Sequence, residues 1–428
     1  MSYKIDIDFF SDDYNISEKS KLSIHNIKNL FINNKYKINV YFVKIIFFII
    51  IIVIIILINF YPLLLKKLNI YYLKFIKEIT QIENYFQLCN NGTLENRKIF
   101  KKIKNPKISI ISPIYNREKY ILRFIRSIQN QFFDDIEIIL VDDSSIDNSV
   151  KLIKKYQIED ERIVLIKHKK NKGTLISRNH GILLSKGEYL IIPDPDDILS
   201  NDILNICYNN SKNNNYDMMR FNIFNKNENT IFFNYIVEKL ESKPIYQPQL
   251  FSYLFYGLGY LHQIDYNLSN KFIKREAYIR ALNSMNNFYL NQYMTNLEDG
   301  IMNYVLYKTA KSFYFIKKIG YYYLQNNQSI TIKPIINYDQ KIRFIFIHLK
   351  LVFETTKNNK FEKNMTNLLF KGLYILFKDE FNFITKDFIF YLDIIEMYLD
   401  CEFIDNDNKL ILIKLKLIIY KKIINKEN

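Results

Sequence analysis

From Lys107 the chain alternates short β-branched runs with segments of helical spacing. KISIIS (107–112), IEIILVDD (136–143), RIVLIKH (162–168) and EYLIIP (188–193) read as strands with nearly continuous apolar character. Between them, REKYILRFIRSIQNQ (117–131), NSVKLIKKYQ (148–157) and TLISRNHGILLSK (174–186) space their apolar residues as helices do. Continuously apolar strands separated by helices imply a parallel sheet covered on both faces, an α/β fold. Ligands bind such sheets outside the carboxyl ends of the strands, so the polar clusters at those ends are the candidate site.

There are four such clusters. SPIYN (112–116) follows the first strand and offers Tyr115 as a flat surface on which a base can stack. VDDSSIDNS (141–149) ends the second strand with Asp142 and Asp143. A carboxylate there can accept from an imide or amide N–H; equally, Asp143 and Asp147 can cap the next helix. Gly173, Gly181 and Gly187, three of only nine glycines, fall in the third cluster, where a turn, a close helix approach and a helix end are expected. Arg178, on that helix, can face a phosphate.

IIPDPDD (191–197) closes the series. In an extended chain alternate side chains share a face, which predicts that Asp194 and Asp196 converge while Pro195 points away. Pro193 and Pro195 hold the residues before them extended and remove two donors that would continue the sheet. Two carboxylates projecting from a strand end suit Mg²⁺ or Mn²⁺, whose remaining ligands are typically phosphate oxygens and water. Asp197 is expected to start the next helix.

From about Pro106 to Leu199 the chain resembles the family-2 glycosyltransferases, which have the GT-A fold. The matching pieces are ISIISPIYN, SIQNQFFDDIEIILVDDSSIDNS, NKGTLISRNHGILLSKGEYL and PDPDD, in family order and spacing. The resemblance implies transfer of a sugar, with inversion, from a nucleotide-sugar donor of the UDP-sugar type, assisted by Mn²⁺ or Mg²⁺. The acceptor hydroxyl would belong to a glycan, a glycoprotein or a lipid-linked molecule. By the same resemblance Tyr115 stacks on the donor base, Asp143 binds its ring N–H, and Arg178 lies near the diphosphate. Asp194 lies near the ribose and metal, and Asp196 is the main metal ligand. The family places its catalytic base in an E-D pair some hundred residues on, which here is Glu298-Asp299, with Asp299 as base and Glu298 beside the substrate. A plain helix N-terminal carboxylate is the competing reading of Asp299. SNKFIKREAY (269–278) is a recurrent strand–helix step, with Asn270 and Lys271 expected to face the site. Departures are Pro195, Ser144 where many members have Gly, and Gly300 where many have Trp.

Ahead of this domain, 21 residues from Ile45 to Leu65 are interrupted only by Asn59 and Pro62, enough to span a bilayer as one helix. The expected organisation is a tail (1–42), a transmembrane helix (43–65), a stem (66–104), the catalytic domain (105–332) and a helical C-terminal subdomain (333–428). Lysines balance across the span, so charge assigns no orientation; the short tail before the anchor resembles Golgi or ER enzymes. The net charge of +16 comes from lysines scattered along the whole chain, with no basic block, and no nucleic-acid partner is expected. Three distant cysteines form neither a zinc site nor a disulfide framework. Two other classes stay open. A sugar nucleotidyltransferase would need a Gly-rich loop where SPIYN stands, and a non-catalytic sugar- or nucleotide-binding relative would have lost carboxylates that are all present.

Overall fold

The computed structural model describes residues 99–225, 230–232, 243–247, 267–295, 298–324, 338–356, 387–401 and 404–427, with shorter pieces within 80–90, 249–250 and 363–370. The chain divides into two compact units, Met1–Thr80 and Gln81–Asn428. Among the described residues no helix is long and apolar enough to cross a membrane; the expected tail and span, 1–65, lie outside them.

The expected alternation is present: β1 (Ile108–Ile114), α1 (Ile121–Gln129), β2 (Ile136–Asp142), α2 (Ser149–Glu159), β3 (Ile163–Lys167), α3 (Thr174–Leu184) and β4 (Tyr189–Ile191). After β5 (Ile198–Leu199) come α4 (Ile203–Asn214), β6 (Met218–Asn225), β7 (Thr230–Phe232), β8 (Ile245–Tyr246) and β9 (Lys271–Lys274). Then follow α5 (Arg275–Asn283), α6 (Asn287–Leu290), α7 (Glu298–Thr309), β10 (Ser312–Tyr323), α8 (Tyr338–Thr355), α9 (Phe388–Leu399) and α10 (Asn406–Glu427).

One sheet runs in the order β3-β2-β1-β4-β9-β6-β10-β5, with β7 beside β6 and β8 beside β10. Its first four strands are parallel. The expectation of a mainly parallel sheet fails beyond them: β9 runs antiparallel to both β4 and β6, and β5 and β8 run antiparallel to β10. The pairing of β6 with β10 is parallel again. Antiparallel neighbours need no crossover helix, so β9 can return beside β6 without one.

Helices cover both faces. Ile111, Ile139 and Val141 meet α3, α5 and α7 in one core, which continues into α8–α10 through Phe346, Tyr391 and Leu415. Ile110, Ile138 and Leu140 meet α1, α2 and α4 in the other through Phe124, Ile153 and Leu204. Gly181 sets the depth at which α3 sits on the sheet, since a Cβ there would lie 2.6 Å from Ile111 Cγ2 and 3.0 Å from Val141 Cγ2. Residues 84–90, expected as stem, are helical and pack on α1. The Tyr85 hydroxyl donates to Ser127 O at 3.2 Å, Arg126 Nη1 donates to Cys89 O at 3.3 Å, and Cys89 is fully buried.

Candidate active site

The ends of β1, β2 and β4, the start of α3 and the start of α7 meet at one place. Arg178, on α3, is its centre and is only 4% exposed. Its Nη2 donates to Asp194 Oδ1 at 2.8 Å, and its Nη1 donates to Glu298 Oε1 at 3.0 Å and to Asp299 Oδ1. One guanidinium therefore serves three carboxylates from two distant parts of the chain. Burial opposes its charge, and Asp299, Asp194 and Glu298 more than offset this, so its pKa is raised. The carboxylates feel the reverse balance. Burial pushes Asp194 and Glu298 upward from the ordinary carboxylate range, against the pull of Arg178, and repulsion from Asp299 adds to it.

The IIPDPDD segment is a turn, which corrects the expected extended pairing of Asp194 and Asp196. The Asp197 N–H donates to the Asp194 carbonyl at 3.2 Å, so residues 194–197 close a four-residue turn with Pro195 at its second position. Proline is favoured there because its fixed φ already matches the turn, which gives Pro195 its physical reason. Asp197 does not start a helix either, since β5 follows and α4 begins at Ile203. Only 2% exposed, its carboxylate accepts from the Tyr321 hydroxyl at 2.6 Å and from Leu324 N at 2.8 Å. The Asp194 N–H in turn donates to the Tyr321 hydroxyl at 3.1 Å, which ties the turn to β10. Asp194 and Asp196 are left partly open, with side chains 35% and 16% exposed. Arg117 Nε lies 3.9 Å from Asp196 Oδ2, and Arg123 donates to the Asp196 carbonyl. No group of three or more His, Cys, Asp or Glu side chains that could hold a metal ion occurs among the described residues.

Asp299 sits on the first turn of α7, as expected, and its other oxygen accepts from Leu268 N at 3.2 Å. Asn270 and Lys271, expected to face the site, are fully buried. Asn270 Nδ2 donates to Phe221 O at 2.8 Å and Lys271 Nζ donates to Asn267 O, so both hold the segment that presents Leu268 N to Asp299.

Asp143 lies at the other end of the site, 3% exposed and already well supplied with donors. It accepts from Lys172 N at 2.9 Å, Gly173 N at 2.8 Å and His168 Nδ1 at 2.8 Å. His168 Nε2 is 2.9 Å from His180 Nδ1, and the two rings stack at an interplanar angle of 7°. In the neutral ring that gives Nδ1–H to the carboxylate, Nε2 is the acceptor and His180 the donor. Gly173, at φ +88°, lets the loop turn back onto Asp143 and onto Met294, whose carbonyl a Cβ would meet at 2.7 Å. Beside it Tyr293 is 47% exposed, and Tyr115 is 44% exposed at the end of β1. Tyr293 lies near both Asp143 and Tyr115; burial raises its phenol pKa, and the charge of Asp143 and then Tyr115 add to the rise. Ser144 is held at φ +69°, a left-handed conformation that favours glycine and accounts for the glycine many family members carry there. Sequence reasoning missed the Tyr321–Asp197 tie, the His168–His180 pair and Tyr293; the third carboxylate of IIPDPDD and the tyrosine-rich strand were the available signals for the first.

The arrangement of strands and helices is the GT-A fold. Residues 109–280 match the model of Glycosyl transferase family 2, and the chain carries a family-2 glycosyltransferase domain. It is 37% identical over 122 residues to Glycosyltransferase GlyG of Streptococcus pneumoniae, covering 28% of this chain and 40% of that one. With the Poly(ribitol-phosphate) beta-glucosyltransferase of Bacillus spizizenii it shares 39% identity over 115 residues, 26% of this chain and 18% of the other. The chain thus spans well under half the length of these curated relatives. Among solved structures, S. aureus TarS 1-349 in complex with UDP-GlcNAc is similar in fold, with a TM-score of 0.56 and 16% identity over 74% of this chain and 89% of that one.

Proposed function

We propose that the protein is an inverting glycosyltransferase that moves a sugar from a UDP-sugar to an acceptor hydroxyl and is held to a membrane by one N-terminal span. The observation that carries this reading is the bridge made by Arg178 between Asp194, at the donor end, and Asp299, the candidate base. The nucleotide-sugar class is supported by the family domain and by the TarS complex, which shares the fold. The run from Ile45 to Leu65 supports the anchor.

In this reading the donor base stacks on Tyr115, with Tyr293 across from it, near Asp143. The diphosphate lies toward Asp194 and Asp196. Mg²⁺ or Mn²⁺ needs only one or two protein carboxylates when phosphate oxygens complete its shell, and these two partly open side chains fit that donor set. When bound, such a cation neutralises charge on the departing diphosphate. The acceptor oxygen bonds to the anomeric carbon as the bond from that carbon to the diphosphate oxygen breaks, and the bonding pair leaves with the diphosphate. Asp299 takes the hydroxyl proton, its carboxylate held in one plane by Arg178 and Leu268 N. Arg178 fixes the base relative to the donor side and damps repulsion among the three carboxylates.

A panel of UDP-sugars tests the reading: UDP release is followed with Mn²⁺ or with EDTA, in the presence of polyol-phosphate, glycan and lipid-linked acceptors. Mn²⁺-dependent release stimulated by one acceptor is expected. A folded chain that releases nucleotide from no donor would sink the proposal. Protease protection of the full chain in vesicles tests the anchor separately.

A further inference from the structure

Helix α10 has two apolar faces, and among the described residues the core uses only one. Leu412, Leu415 and Ile419 are 2%, 1% and 0% exposed in the core shared with α9. Leu410, Ile413, Leu417, Tyr420 and Ile424 are 53%, 45%, 54%, 41% and 56% exposed. Their spacing alternates three and four residues, the a and d positions of a heptad. At about 100° per residue these five side chains fall within roughly 80° of arc, directly opposite Leu415. A surface helix needs one apolar stripe, so a second, continuous one calls for a partner.

Lysines border this second stripe on both sides. On the same helical wheel Lys409 and Lys416 lie along one flank, and Lys414 and Lys421 along the other. Lys416 Nζ pairs with Glu396 at 3.0 Å and sits 5.8 Å from the centroid of the Tyr420 ring, at the edge of the stripe. Heptad notation puts Lys414 and Lys421 at e, and Lys409 and Lys416 at g. A second copy packed on the stripe would set lysine against lysine, through g and e in a parallel pair and through e–e and g–g in an antiparallel one. A partner with negative charge on both sides of an apolar interior meets no such repulsion. An anionic bilayer surface has this form: apolar side chains sink to the acyl boundary while lysine stems extend to the acidic headgroups.

We propose that the exposed face of α10 docks on anionic lipid. The proposal depends neither on sugar transfer nor on the N-terminal span. Its test uses the full chain, one copy per nanodisc, with an environment-sensitive fluorophore at Leu417→Cys in a Cys401→Ser background; Cys89 and Cys207 are buried. In discs of mixed phosphatidylserine and phosphatidylcholine the probe is expected to shift to the blue and to be quenched by lipid-borne quenchers. In phosphatidylcholine alone, or with Lys409→Glu, Lys414→Glu and Lys421→Glu together, the shift should disappear. Because those lysines lie off the buried face, circular dichroism should report an unchanged helix content. An equal shift in neutral discs overturns the proposal, as does exposure in both. A shift already present in detergent, with probe-to-probe cross-linking, overturns it in favour of a second copy.

Discussion

Arg178 Nη2 stands 2.8 Å from Asp194 Oδ1, and the other arm of the same guanidinium holds Glu298 and Asp299. The donor side and the base side of the candidate site are therefore one charged unit. A lysine at this position keeps a charge but cannot grip both sides, because its three donors radiate from one atom. Arg178→Lys is expected to lower kcat by about 10²-fold with a smaller change in the donor KM, the pattern of misplaced rather than missing groups. Steady-state kinetics with a fixed donor check this, and an unchanged kcat would remove Arg178 from the positioning role.

Asp299 and Asp196 should fail in different ways. Asp299→Asn keeps the size of the side chain and its bond to Leu268 N but cannot take a proton. Transfer should fall by about 10²–10⁴-fold while UDP-sugar binding, read by calorimetry, stays near its original affinity. Asp196→Asn should instead weaken donor binding in Mn²⁺ and leave the residual binding insensitive to EDTA. Equal losses of binding and transfer in both variants would contradict the division of labour.

Tyr321 holds the Asp194–Asp197 turn to β10 through one hydroxyl that accepts from Asp194 N and donates to Asp197. Tyr321→Phe leaves a buried carboxylate with one donor fewer and should cost about 1–3 kcal/mol in denaturant unfolding. The turn that presents Asp194 and Asp196 should loosen with it, so the apparent Mn²⁺ requirement should rise. Loss of stability with no change in metal dependence would assign Tyr321 to folding alone.

This last tie marks where the sequence stops being legible. β1 to β4 and α1 to α3 follow from local periodicity, because each strand is a β-branched run and each helix keeps one apolar stripe. Asp143 was visible as a carboxylate at a strand end and Arg178 as a cation on the helix that follows, whereas the Glu298-Asp299 pair was picked out by the family resemblance. That Asp197 turns inward could not be read, because its partner Tyr321 reaches it only through the pairing of β10 with β5. His168 reaches Asp143 through the register of β3 on β2, where Lys167 faces Asp142. Such long-range pairing leaves no mark in local spacing. The extended reading of IIPDPDD failed for another reason: proline suits the second position of a turn as well as a strand end, and the 194–197 hydrogen bond decided between them.

Ser144 offers a test of strain beside the site. At φ +69° its side chain stands in a conformation that costs an L-residue about 1–2 kcal/mol, of which glycine's greater unfolded entropy returns part. Ser144→Gly is expected to raise stability by about 0.5–1 kcal/mol, with donor KM little changed. A lower melting temperature would mean that the Ser144 side chain makes a compensating contact.

The buried histidine of the C-terminal helices sets a pH limit on the fold. His348, on α8, is 3% exposed and stands edge-on to Tyr304 with ring centroids 6.0 Å apart. Burial lowers its pKa from 6.5 to about 4. The unfolded chain therefore takes up a proton at a pH where the folded chain does not. Its contribution is full above the unfolded pKa and is lost as pH falls toward the folded one; below that both states are protonated and the slope ends. The whole interval corresponds to about 3 kcal/mol at most. Unfolding free energy measured between pH 7 and pH 4 should carry this decline, and His348→Met should remove that portion while leaving the decline caused by other groups. An unchanged pH profile in the variant would mean that His348 titrates alike in the folded and unfolded chain.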